Sequence, residues 1–333
     1  MAQLDSFHGM VVSQYFSSLY DFIVFENVSK KFRGNTSKFH YNPLPLTTRT
    51  LKYFENVETL HLYKESEENF GNDFFDLNKE NGDKKDCENF YQVVIHFKVS
   101  FQIYLTNSNK NFVFKNVTFT KKDRENYGNV IPSGVTFLGE NCFEEVDLST
   151  LEIPNTVKTI GEKCFCNMKN LIIVTLSTKL LSIGKSAFEG CEKLRTIKIP
   201  DTITSLHNFT FNCCCSLAEI KLSQNLEVLG ELSFGNCTSL CSIELPNKIK
   251  ELQKSCFIFC TSLKKIILPT QLSKIGKHCF EECNQLKTIE IPSKVERLAH
   301  FSFERCSSLM TVTVTDKLRK SDSFRELPLA TRH

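Results

Sequence analysis

Residues 186–207 read SAFEGCEKLRTIKIPDTITSLH, and the rest of the chain is best understood outward from this stretch. Phe188 recurs at a fixed step: phenylalanine stands at 165, 188, 211, 234, 257, 280 and 303, each 23 residues from the next, with Phe143 one step earlier and one residue short. A fixed period of 20–29 residues marks stacked supersecondary units. The other columns move with it. Three residues after Phe come Cys191, Cys214, Cys237, Cys260, Cys283 and Cys306; six after come leucines from Leu171 to Leu309. Ile197, Ile220, Ile243, Ile266 and Ile289 follow, each with an apolar partner two positions on. Pro132, Pro154, Pro200, Pro246, Pro269 and Pro292 close that segment, and Gly161, Gly184, Gly230 and Gly276 follow a further apolar pair.

Each column has a physical reason. Residues at steps of three share one face of a tight helical turn with three residues per turn. Residues two apart share one face of a strand. Proline lacks an N–H and sits where a strand ends; glycine is expected to supply φ > 0 at the next corner. One unit is therefore a short turn, a short strand, a proline corner, a second extended piece and a glycine corner. No unit buries its apolar face alone, but stacked units share one core. The expected fold class is an α/β repeat, a solenoid of short parallel strands and short helical turns with an N-terminal helical cap.

The string Phe–x2–Cys–x2–Leu–x2–Ile–x–Ile–Pro resembles the BspA-like leucine-rich repeat, and it recurs over residues 131–318. It departs from the pattern at Met168 in the Cys column, Ser177 and Ser223 in the Pro column, and His207 and Gln253 in the Gly column. The resemblance implies a solenoid that binds other proteins; several relatives of that family are cell-surface or adhesion proteins.

Upstream of the repeats the pattern changes. Val11, Val12, Tyr15, Phe16, Leu19, Phe22, Ile23 and Val28 recur at steps of three and four, which predicts one or two amphipathic helices. The order of apolar and basic residues from Met10 to Arg33 is loosely similar to an F-box, without its Leu-Pro start. Two roles stay open for residues 1–49: a helical cap on the solenoid, or, as the F-box resemblance implies, a module that docks a ubiquitin-ligase adaptor. Residues 50–130 are expected to hold irregular rungs. Leu60 and Leu62 suggest one strand, the alternation Val93, Ile95, Phe97, Val99, Phe101, Ile103 a second, and Phe112, Phe114, Val117 and Phe119 a third. Between the first two lies an acidic solvated loop with Glu65, Glu67, Glu68, Asp73, Asp76, Glu80, Asp83, Asp86 and Glu88, which lack calcium-loop spacing. Residues 319–333 form a tail.

Composition bounds the function. The chain has 333 residues, 41 % apolar and 24 % charged, with 41 basic against 38 acidic side chains and a net charge of +3. Near-balance of charge gives no reason to expect a nucleic-acid partner, and no uncharged apolar run reaches the ~18 residues of a membrane-spanning segment. Residues 1–16 lack a basic leader and LPLATRH lacks a prenylation cysteine, so the expected location is cytoplasmic, with cell-surface exposure by an unconventional route as the alternative. The 15 cysteines are then reduced, small, buried side chains, ten of them at repeat positions. In an oxidising setting, stacked column cysteines could pair instead.

No catalytic constellation is visible. Gly184-Lys185-Ser186 ends like a phosphate-binding loop, but Lys179 stands where that loop needs glycine. GxGxxG, HExxH and GxSxG are absent, and the eight histidines are scattered, with His207 and His300 read as corner residues. The expectation is a non-enzymatic scaffold without cofactor or metal, binding an as yet unidentified protein. The residues flanking the inward strand positions should point outward. One column reads Thr175, Lys198, Lys221, Glu244, Ile267, Glu290, Thr313, and the other Ile173, Thr196, Glu219, Ser242, Lys265, Thr288, Thr311. Lys198, Lys221, Glu244, Lys265, Ile267 and Glu290 are the candidate protein-binding residues.

Overall fold

A computed structural model describes residues 5–75, 89–315 and Leu318, in two compact units, Met1–Val117 and Thr118–His333. Asp76, Glu80, Asp83, Asp86 and Glu88 of the acidic segment and residues 319–333 lie outside the described residues.

The second unit is the repeat array. Each rung contributes a three-residue strand and a two-residue strand, and every pairing is parallel. Thr196–Lys198 aligns with Glu219–Lys221, Ser242–Glu244 with Lys265–Ile267, and Thr288–Glu290 with Thr311–Thr313, all at the 23-residue step. The shorter strands form a separate ladder, as in Ser205–Leu206 beside Val228–Leu229. The proline column opens a β-turn between the two: Ile203 N–H donates to the Pro200 carbonyl at 3.0 Å, and Ser177 makes the same bond with Leu180 at 3.2 Å.

The core is the phenylalanine column. Phe143 to Phe303 are at most 1 % exposed, and from Phe165 onward successive rings stack at 5.1–5.6 Å with their planes within 21°. Burying one such ring contributes about 1.5–3 kcal/mol, and each favourable ring pair about 0.5–1.5 kcal/mol more. The Leu column and the inward strand residues complete the same interior.

The segment around each Phe keeps the expected three-residue step but is not a continuous helix. Bonds run from Cys191 N–H to the Phe188 carbonyl and from Leu194 N–H to the Cys191 carbonyl. The backbone turns left-handed before the first of these turns, at Ser186 (φ 54°), and within it, at Gly190 (φ 71°), so the chain makes successive β-turns. The same two positions are left-handed in the neighbouring rungs at Lys163, Asn167, Phe209, Cys213, Leu232 and Asn236. For a residue with a Cβ this conformation costs roughly 1–2 kcal/mol. The return is a hydrogen-bond ladder: the N–H groups of Ser186, Phe188 and Gly190 donate to Asn208, Thr210 and Asn212 of the next rung at 2.8–3.0 Å.

The glycine column corrects a sequence expectation. Gly161, Gly184, Gly230 and Gly276 do not have positive φ. Their role is close approach: a Cβ on Gly184 would lie 2.6 Å from the Glu162 nitrogen and the Gly161 carbonyl carbon of the preceding rung, and one on Gly230 only 2.4 Å from the Asn208 nitrogen. Left-handed backbone falls two residues later, on residues that are not glycine.

In the first unit, α1 (Ser6–Ser13) and α2 (Leu19–Val28) are the two predicted helices. Asp5 caps α1 by accepting from the Phe7 and His8 N–H groups, and Ser18 with Asp21 forms a capping box on α2. Their apolar faces are not the ones expected. Phe22 is buried against Phe39 and Phe54, but Val11, Val12, Tyr15, Ile23 and Val28 are exposed. Gly9 and Ser13, small residues, face inward instead, because the Phe32 ring fills the space beside Gly9. After α3 (Thr48–Leu51), β1 (Thr59–Leu62) pairs parallel with β2 (Gln92–Ser100), burying Leu60 and Leu62 as expected. The predicted second strand ends early. Ser100 accepts from the Ile103 N–H as an N-cap, and Phe101 and Ile103 belong to α4 (Phe101–Asn107). The third strand is β3 (Phe112–Phe119).

Candidate functional site

The three-residue strands present their flanking side chains to solvent and their central ones to the core, as in Thr196–Ile197–Lys198 and Thr288–Ile289–Glu290. Lys198, Lys221, Glu244, Lys265, Ile267 and Glu290 are all exposed on this face. Register sets their neighbours: Lys198 stands beside Lys221, Glu244 beside Ile267, Lys265 beside Ser242, and Glu290 beside Thr313. Ile267 and Ile173 are 44 % and 49 % exposed, apolar side chains held out in a polar ladder.

Some charges elsewhere on the rungs find partners one repeat away. Off the three-residue strands, the 23-residue step brings some long side chains onto partners: Lys274 reaches Glu251 at 3.3 Å within the two-residue ladder, Arg305 reaches Glu282 at 3.3 Å, and Lys193 and Lys248 donate to Asn170 and Asn225 at 2.7 and 2.8 Å. Among the described residues, no ion pair or side-chain hydrogen bond engages Lys198, Lys221, Glu244, Lys265 or Glu290.

Grooves run along the edge where these strands meet the proline turns. One lies between Val174, Leu176, Thr178, Lys198, Pro200 and Thr202. A second is bounded by Ile267, Leu268, Glu290, Pro292 and Thr313. Both combine apolar walls with a candidate charge, so the face offers apolar contact and charge recognition together.

The thiols are structural. Cys191, Cys214, Cys237, Cys260, Cys283 and Cys306 each donate to the carbonyl of the Phe 26 residues earlier, at 3.0–3.3 Å. Burial pushes the thiols of Cys191, Cys256 and Cys306 up to about 12, so they stay protonated and are poor nucleophiles. All fourteen described cysteines are free thiols.

Two histidine groupings were not legible as motifs. His61 of β1 and His96 of β2 meet with 3.1 Å between Nδ1 and Nε2, and burial holds both below the ordinary imidazole value. His278, Glu281 and Glu304 converge outside the strand face and are the one described group that could hold a metal ion. Their spacing gave a usable signal, since Glu281 and Glu304 are one period apart. The Lys185 region makes repeat corners, and Lys185 itself reaches Glu162 at 3.9 Å. No described helix is long and apolar enough to cross a membrane.

Residues 106–214, 136–257 and 204–325 match the protein family described as BspA type leucine rich repeat region, in six copies. No curated protein matches the chain. Among solved structures, a leucine-rich repeat protein from Bacteroides ovatus is similar at 23 % identity and TM-score 0.50, over 79 % of this chain and 55 % of that one. The leucine-rich repeat protein of T. pallidum is similar at 26 % identity and TM-score 0.46, over 52 % and 78 %. One from Eubacterium ventriosum is similar at 21 % and 0.47, over 70 % and 69 %. The chain thus spans 55 % of the length of the Bacteroides protein, whose likeness shows the fold.

Proposed function

From the premise that this chain belongs to the BspA-type leucine-rich repeat family, we propose that it is a non-enzymatic scaffold that binds another protein along the outward face of its three-residue strands. The observation that carries this reading is a ladder of exposed side chains on the three-residue strands, in which Lys198, Lys221, Glu244, Lys265 and Glu290 have no ion-pair or side-chain hydrogen-bond partner among the described residues. Unpaired Glu244 beside exposed Ile267, exposed Ile173, and two apolar-walled grooves suit a protein surface of mixed chemistry. Stacked aromatics and a basic stripe, which a single-stranded nucleic acid would need, are missing from these two columns.

The test is charge reversal at Lys198, Lys221 and Lys265 together, followed by affinity purification of the tagged chain. A partner recovered by the wild type should be weakened or lost. Undiminished recovery rejects this face.

A second reading places an adaptor on the first unit, as the F-box resemblance implied. It is favoured by the exposure of Tyr15, Tyr20 and Val28 on and beside α1 and α2. Tyr15→Asp with Val28→Asp would abolish capture of a ubiquitin-ligase adaptor on this reading and leave it unchanged on the first.

A further inference from the structure

In a repeat with a 23-residue step, two acidic residues one period apart must face each other across adjacent rungs. The array mostly avoids this in the position that follows the core phenylalanine. Glu189 there meets Asn212, whose amide donates to its carboxylate at 2.9 Å, and the next two rungs carry Gly235 and Ile258. The exception is Glu281 with Glu304. Two carboxylates converge there, and His278 lies between them. Its Nδ1 is 2.7 Å from one Glu281 oxygen and 3.9 Å from one Glu304 oxygen. All three donor atoms fall within 4.8 Å of one another, and all three residues are half-buried.

The imidazole is held rather than free. It stacks on Phe301 at 5.4 Å with the planes 14° apart, while Lys277 lies over the same ring. Nδ1 is shielded from solvent and makes no hydrogen bond, although a Glu281 oxygen lies 2.7 Å away. A shielded nitrogen set beside two carboxylates is an arrangement that a bound cation would complete.

We infer that His278, Glu281 and Glu304 form a binding site for a divalent first-row transition-metal ion, which joins two successive rungs through one imidazole nitrogen and two carboxylate oxygens. Two donors each about 2.1 Å from a tetrahedral ion are about 3.4 Å apart. The separations of 2.7 and 3.9 Å straddle that value, so small side-chain rotations suffice. The ligand set is of the nitrogen–oxygen type, with no thiolate. Three protein ligands leave one position for water. Because the ligands come from two rungs, binding stabilises their stacking and raises the unfolding temperature.

The probe is Co2+, titrated into the full chain near neutral pH, because its spectrum separates nitrogen–oxygen from sulfur ligation. The expected result is one saturable equivalent with d–d absorption and no sulfur-to-cobalt charge transfer, and a raised unfolding temperature. His278→Ala and Glu304→Gln should each lose that equivalent, or at least weaken it about tenfold or more, with unchanged circular dichroism. His96→Ala should retain it. The inference is overturned by absence of saturable binding, by an equivalent that survives in both site variants, or by a sulfur-to-cobalt band that disappears when thiols are alkylated. It is equally overturned if His96→Ala removes the equivalent, because the ion then sits at His61 and His96.

Discussion

The thiol of Cys214 donates to the backbone carbonyl of Phe188, 3.1 Å away in the preceding rung. That carbonyl also accepts the Cys191 N–H, at a longer 3.3 Å. The thiol therefore completes the bonding of a buried acceptor in the middle of the core, and it does so in rung after rung. Small size explains why this column tolerates cysteine; the S–H donor explains why cysteine is preferable there to alanine.

The same burial sets a pH limit on the fold. A thiol ionises at its ordinary value of 9.0 in the unfolded chain, but at about 12 for Cys191, Cys256 and Cys306 in the folded one. A folded pKa above the unfolded value means a contribution that is complete below 9.0 and is lost as pH rises towards 12. The urea midpoint should stay level up to about pH 8 and fall steadily above about pH 9. Cys191→Ala with Cys256→Ala should flatten that fall and lower the midpoint at neutral pH. A wild-type midpoint that is level well beyond pH 10 would contradict the buried, protonated column.

Gly184 and Gly128 separate two meanings of glycine. A Cβ on Gly184 meets only backbone of the preceding rung, at 2.6–2.7 Å, and backbone in a stacked ladder cannot move aside. Gly128 has φ 90° and nothing within 4 Å of the added Cβ. Gly184→Ala should therefore cost at least about 2–3 kcal/mol through overpacking, and Gly128→Ala about 1 kcal/mol through backbone strain alone. Denaturant unfolding of the two variants measures the difference; equal costs would mean that the rungs can spread.

What the chain declares locally and what it hides follow from this. Phe, Cys, Leu, Ile and Pro columns are legible because each residue type answers to its own rung: an apolar face, a strand alternation, a missing N–H. The left-handed residues are not, because Ser186, Leu232 and Phe259 have no intrinsic preference for that backbone. Their conformation is stabilised by bonds to the next rung, as when Leu232 N–H donates to Lys254. Helices α1 and α2 were legible from their spacing, but not their buried face, because a core built from Phe22, Phe32, Phe39 and Phe54 takes up Gly9 and Ser13 rather than the Val11–Val12 pair. On the strand face the outward columns were legible from alternation alone. The missing charge partners were not, since pairing depends on where the long side chains reach.

That absence of partners makes the strand face a clean place to separate binding from folding. Lys198→Glu, Lys221→Glu and Lys265→Glu combined should leave unfolding free energy within about 0.5 kcal/mol of the wild type, as for surface positions without a specific contact. Relief of the Lys198–Lys221 juxtaposition is exchanged for an equivalent acidic one. Lys274→Glu, which breaks the exposed pair with Glu251 and sets two acids side by side, should cost up to about 1 kcal/mol. A triple variant that unfolds appreciably more easily would place these lysines in the fold's own interactions rather than in recognition.

His61 and His96 give the first unit an acid limit of its own. Their nitrogens lie 3.1 Å apart across the β1–β2 pair, and the Tyr63 ring stacks on His96 at 4.5 Å. Burial lowers both pKa values first, the facing imidazole then lowers that of His61, and Lys115 acts on both in the same sense, while Glu67 opposes it at His96. A folded pKa below the ordinary 6.5 makes the neutral pair a source of stability that is present above 6.5 and lost as pH falls through the lowered values. The imidazole proton resonances should titrate below 6.5, and those of His61 should move up towards it in His96→Gln, where the facing charge is gone. The ring proton resonances of Tyr63, stacked on His96, should shift on acidification with the histidine midpoint. Titration of both imidazoles at or above 6.5 would mean that the two rings are solvated separately and that the pair does not restrain β1 against β2.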